Sequence, residues 1–334
     1  MTRRRFSLLI LFALVAGALI LAKPAFSYLP QGSALGSAFV PAAWTSPPLW
    51  VINPAVSGGG VTANIAGTPS DVTSTMSAAF STWVNAPNIN LGVSTSPYGY
   101  STATSPQSNV NLVCFICSGV DFDTDGTLAL TVTSYNVTTG ELINASIYFN
   151  PAPAVDGTPV CFTTSDTNAS CPQSGSEMED LQTVATHEVG HFFGLDHSAI
   201  VRAIMYPFAP PLLQTLSYDD VAGMSLLYPK STPDVQTGAI QGTVTLSGSA
   251  VFGAHVFANS STTATPFSGF PAIRKTPIGT LTDPIGSYTI SGVPADSYEV
   301  IAEPLDGPVS DGNVDWAPEW QQTAVETDFT TRWY

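Results

Sequence analysis

Apolar residues first recur with a helical period after Ser70: Val72, Met76, Phe80 and Trp83 stand four, four and three positions apart, on one face, with Ser70 or Asp71 as cap. Two strand-like runs follow, 128–133 and 141–150. In the second, Ile143, Ala145, Ile147 and Phe149 alternate with Asn144, Ser146 and Tyr148, the signature of a half-buried sheet. Helical spacing returns with Leu181, Val184, Ala185, Val189 and Phe192, preceded by Ser176 and Glu179 at capping-box spacing and closed by Gly194. A third helix is predicted from Ser217, with Asp220 three residues on, to Leu227, where Pro229 forbids continuation.

The character of the chain changes at "PKSTPDVQTG", which has the composition of a linker. Beyond it lie short strand-like runs, 240–246, 254–258, 287–290 and 298–302, separated by Gly, Pro and Asp, with "PADS" as a turn; these predict a small all-β sandwich. "TDFTTRWY" reads as an unfinished strand, as if the last domain were truncated. The expected division is a signal peptide over 1–27, an N-terminal segment 28–48, a first domain 49–230, a linker 231–237 and the sandwich 238–334.

The signal reading rests on Arg3, Arg4 and Arg5, an apolar run over 6–22 and Ala25-Phe26-Ser27 as a small-residue cleavage site; an uncleaved anchor is the competing reading. Removing it takes four of the nine basic residues and none of the 25 acidic ones, leaving five against 25 and a balance of −20. Nucleic acid and anionic membranes are poor partners for such a surface. Cys114, Cys117, Cys161 and Cys171 are an even number in an exported chain, which points to disulfides. Local pairing is the simplest of three connectivities, and a four-cysteine zinc site is disfavoured by the wide second spacing.

"HEVGHFFGLDH" holds three of the chain's four histidines. On a helix His187 and His191 lie one turn apart and point the same way, so both imidazoles can reach one metal ion. Gly194 can take a positive φ that ends the helix and returns His197 as a third ligand. Three neutral imidazoles with a fourth position free for water are the arrangement of a catalytic zinc, one per chain. Glu188 is too close in sequence to be a convenient ligand and well placed to serve as general base to that water. Asp121, Asp123 and Asp125 have the alternating oxygens of a calcium loop, but Val132 stands where an EF-hand has its bidentate glutamate; a solvated acidic turn is the default and a loop Ca2+ the alternative.

"HEVGHFFGLDH" followed by "AIMYP" resembles the metzincin zinc peptidases, and among them the matrixins, over roughly residues 50 to 228. The resemblance implies an α+β zincin-like domain with a twisted mixed sheet and an active-site helix. It makes Met205 the residue of the turn beneath the zinc, and Asp219 with Asp220 the pair that ties the last helix to that turn. "GELINASIYFN" resembles the edge strand to which substrate adds. The sequence departs from the family in several places. No further histidines are placed to hold a structural zinc, since His255 lies in the sandwich, and no cysteine precedes Cys114 to act as a latency switch. Tyr206 directly follows Met205 and is not counted as a ligand, and "FAPPLL" departs from the usual wall of the specificity pocket. "GTVT", "GAHVFA", "GSYTISGVPADSYEV" and "AEP" resemble carboxypeptidase regulatory-like or transthyretin-like sandwiches.

The reading is thus a secreted zinc endopeptidase acting on extracellular peptide or protein, with no nucleic acid or membrane partner after signal cleavage. The rivals are an exported adhesin with an inactive zinc domain, against which an intact Glu188 argues, and a zinc amidase acting on cell-wall peptide.

Overall fold

The computed structural model describes residues 29–58, 60–122, 126–164, 170–208, 213–270 and 273–334. The signal segment, Asp123 and Asp125 lie outside them. Five strands form a mixed sheet: β1 (Trp50–Asn53), β2 (Gly99–Tyr100), β3 (Asn111–Cys114), β4 (Ala129–Tyr135) and β5 (Leu142–Phe149), in the order β2-β1-β3-β5-β4. All neighbours are parallel except β4, which runs antiparallel to β5. The edge beside the site is therefore β4, whereas the "GELINASIYFN" strand lies one place inward.

The alternation anticipated in β5 fails at Ile143, which is 66% exposed, because the β4–β5 register shifts between Leu142 and Asn144. Such a bulge re-aims a side chain. From Ala145 to Phe149 every side chain is buried, so both faces of β5 are covered.

Helix α1 (Pro69–Val84) is capped by Thr68 rather than by Ser70 or Asp71. The Thr68 hydroxyl accepts the Asp71 N–H at 3.3 Å, and Asp71 accepts the Thr68 N–H at 2.9 Å. This reciprocal box satisfies two of the donors a helix start leaves open, and Pro69 lacks the N–H that would need a third partner. Val72, Met76, Phe80 and Trp83 are fully buried, as the periodicity requires. Phe80 stacks on Trp50 of the sheet at 4.2 Å and meets Phe192 edge-on at 5.2 Å, so α1 joins the sheet to helix α2 (Leu181–Phe192). A third helix, α3 (Tyr218–Leu227), has the predicted Ser217–Asp220 box.

The C-terminal region contains a strand pair, Thr237–Thr243 with Ser287–Pro294, and a four-stranded antiparallel sheet in which His255–Ser260 lies between Ile278–Leu281 and Tyr298–Glu303, with Arg332–Trp333 outermost. His255 is buried there beside Glu303. One apolar cluster spans both halves of the chain, and a second gathers Phe39, Leu281, Trp316 and Trp320.

The linker-like stretch is tied down. Asp234 accepts the Asn88 N–H at 2.9 Å, while Asn88 and Val235 exchange bonds of 2.8 and 2.9 Å. Among the described residues no helix is long and apolar enough to cross a membrane.

Candidate metal centre

Helix α2 does not start at Ser176. A strand, Glu177–Asp180, runs straight into it, and the Asp180 carboxylate accepts the Thr183 N–H at 2.8 Å as N-cap. Leu181, Val184, Ala185, Val189 and Phe192 face the core, which turns His187 and His191 to one side. At the other end Gly194 has φ +94°, and a side chain there would strike the Ala42 carbonyl. Only glycine takes that turn without strain. Trp44 Nε1 donates to the Phe192 carbonyl at 2.8 Å and the Tyr228 hydroxyl to that of Phe193 at 2.8 Å, so the last carbonyls of the helix are also satisfied. Neither residue stands out in the sequence, because each reaches the helix from a distant segment.

The turn at Gly194 brings His197 back, and one ring nitrogen from each of His187, His191 and His197 falls within 4.8 Å of the others. Each Nδ1 faces a backbone carbonyl: Ile204 at 2.8 Å for His187, Leu195 at 2.7 Å for His191 and Asn313 at 2.5 Å for His197. A carbonyl can only accept, so every Nδ1 carries the proton and every Nε2 keeps its lone pair for the shared space. The Nε2 atoms of His187 and His191 are 3.1 Å apart with no proton to place between them.

That proximity suits a shared cation, since two nitrogens bound tetrahedrally to one zinc at 2.0–2.1 Å stand about 3.3 Å apart. Burial also keeps the rings neutral. It pulls His187 down to about 3, aided by the neighbouring His197, and lowers His191 and His197 as well. The site thus fits zinc in both donor type and protonation state.

Glu188 is 5% exposed, and its Oε2 accepts the Thr131 hydroxyl of β4 at 2.5 Å. Burial raises its carboxyl to about 7, against the lowering effect of that bond. Met205 is fully buried, its sulfur against Gly190 of α2. The Asp220 carboxylate accepts the N–H groups of Ser217 at 2.7 Å, Ile204 at 2.9 Å and Met205 at 3.3 Å, so α3 and the methionine turn are one hydrogen-bonded unit. Asp219 accepts the Ser198 hydroxyl at 2.5 Å and the Gly279 N–H at 2.8 Å. A cleft of about 660 Å3 opens beside Thr131, between β4, the hairpin strand Gly32–Leu35 and residues 315–321.

Two disulfides, Cys114–Cys117 and Cys161–Cys171, take the local connectivity. Asp121 is exposed.

Residues 116–229 match the matrixin family model. Metalloendoproteinase 1 of Glycine max is 51% identical over 51 residues, 15% of this chain and 17% of that protein. Matrix metalloproteinase-9 of Canis lupus familiaris is 40% identical over 89 residues, 23% and 12% respectively. Karilysin of Tannerella forsythia is 43% identical over 49 residues, 15% and 10%. The chain thus spans less than a fifth of the length of these relatives. The stretch similar to matrixins contains the histidine triad and contributes strands to the mixed five-stranded sheet of an α+β fold, which is followed by a β-rich C-terminal region.

Proposed function

We propose that this protein is a zinc-dependent endopeptidase, a reading carried by one observation: three neutral imidazoles aim their free Nε2 lone pairs at one point, with a buried carboxylate next in sequence to the first. His187, His191 and His197 would hold the metal, which when bound polarises the scissile carbonyl and acidifies a water. Glu188 would take a proton from a water at the site and return it to the leaving amine, and Thr131 fixes the orientation of its carboxylate.

The outer edge of β4 has no strand partner among the described residues, which supports an extended peptide as substrate, hydrogen-bonded along that edge. Asp219 and Asp220 hold the Met205 turn under the metal, and Gly194 sets the return of His197. Secretion through a signal peptide over 1–27 is supported by the sequence pattern there and by the disulfides. We read 49–230 as the peptidase domain, 231–237 as its connection and 238–334 as a regulatory-like sandwich, on composition and strand pattern. A loop Ca2+ at Asp121, Asp123 and Asp125 rests on residue spacing alone.

Cleavage of a random peptide library, with and without chelator, tests the function. Chelator-sensitive cleavage is expected. A protein that binds zinc and cleaves no peptide would be a binding protein instead.

A further inference from the structure

The third imidazole is held from outside the motif that supplies it. His187 and His191 find carbonyls 17 and four residues away in sequence, whereas the carbonyl bonded to His197 belongs to Asn313, 116 residues on in the C-terminal region. Asn313 ends a single 3-10 turn, Asp311–Asn313, and its own side chain shapes that turn: Oδ1 accepts the Ser310 N–H at 2.9 Å and the Ser310 hydroxyl at 3.1 Å. Asp196 joins the two segments by accepting the His197 N–H at 2.6 Å and the Asp315 N–H at 2.8 Å. A second tie runs through Gly279, which donates to Asp219, itself bonded to Ser198 next to His197. The Arg274 side chain adds a third, bonding Thr215 and the Arg202 carbonyl.

We propose that the C-terminal region is a working part of the metal centre, with Asn313 as a positioning residue for His197. An imidazole whose Nδ1–H is bonded is fixed in tautomer and ring plane, so its Nε2 lone pair points where the metal must sit. Without the turn over 310–315 the His197 Nδ1–H loses its acceptor, and nothing fixes the ring plane from that side. Loss of such an outer partner commonly weakens metal binding 10–100-fold. The inference rests on the zinc reading of the site, and it assigns the sandwich a role in holding the ion.

The test uses the full chain and reads zinc affinity by competition with a chelator. Asn313→Ala removes the acceptor that shapes the turn and is expected to weaken zinc binding roughly 10–100-fold. Asn313→Asp, which keeps an acceptor oxygen there, should restore most of the affinity. Ser260→Ala strips a bond from Asp296 at another turn of the same region and should leave affinity unchanged. In the zinc-loaded wild type, nitrogen-edited proton spectra should show a downfield, slowly exchanging Nδ1–H signal from each of His187, His191 and His197, beside the one from His255, whose Nδ1 faces Glu303. In Asn313→Ala only that of His197 should move.

Two results would overturn the proposal: wild-type affinity in a folded Asn313→Ala, or no protected His197 Nδ1–H signal in the wild type, which needs no variant at all. Wild-type protein that takes up no zinc removes the metal reading and this proposal together. One zinc per chain with no dependence on Asn313 removes this proposal alone.

Discussion

Gly190 lies so close to Met205 that a Cβ at that position would stand 2.2 Å from the methionine sulfur and 2.9 Å from the Trp83 ring. The helix bearing the first two histidines is therefore seated directly on the methionine, with Trp83 closing the side and donating from Nε1 to the Thr186 carbonyl at 2.7 Å. Gly190→Ala forces either the methionine or the helix to move. Overpacking of this kind costs about 1–3 kcal/mol. The variant should melt at lower temperature than the wild type and bind zinc more weakly, as read by calorimetry and chelator competition. An unchanged melting temperature would mean the methionine turn yields freely.

Zinc binding and catalysis are separable within one turn of helix. Glu188→Ala leaves all three imidazoles and their carbonyl partners in place, so metal content should stay near one zinc per chain while peptide hydrolysis falls by roughly 10²–10⁴-fold. His191→Ala should lose both metal and activity, because two imidazoles hold zinc poorly. Metal analysis beside a peptide assay checks the pair. An active Glu188→Ala enzyme would remove the glutamate from the mechanism.

Glu319 gives a pH signature. Burial pushes its carboxyl up to about 10, with Asp196 and Asp315 adding to the shift and its bond from the Gly32 N–H opposing it. A carboxyl whose folded pKa is raised contributes its full stability below the unfolded value, near 4.5, and loses it as pH rises towards 10. Glu319→Gln keeps an acceptor for Gly32 and removes the titration. Its melting temperature should match that of the wild type near pH 4.5 and exceed it increasingly up to pH 8. A constant offset across that range would contradict the burial account.

Both disulfides are closed by cysteines near in sequence, and no free cysteine remains. Thiol titration of the denatured, unreduced protein should therefore find none. Reduction should cost about 2–4 kcal/mol for the ten-residue Cys161–Cys171 span. Two or more reactive thiols before reduction would contradict the pairing.

What could be read from the sequence was what local geometry fixes. The His187–His191 pair follows from the pitch of a helix, the return of His197 from one glycine, and α3 from the Ser217–Asp220 box. The start of α2 was not legible, because Asp180 caps the helix from the end of a strand, while Ser176 bonds elsewhere, to the Gln173 carbonyl and the Asn64 amide. Strand order was not legible either. Which of two adjacent hydrophobic strands forms the edge depends on parallel pairings made by residues far apart, such as Ile147 with Val113. At 231–237, Pro and Ser set local stiffness but say nothing of a partner like Asn88, so the bonds that hold this stretch were not legible.

The separation of His197 from Asn313 also sets an order of events in synthesis. A chain emerging from the ribosome presents the two helical histidines first, then the third, and only 116 residues later the carbonyl that aligns it. On the proposed role of Asn313 the metal centre is completed only after that segment has been made, so until then a nascent chain carries its three imidazoles in an unassembled state.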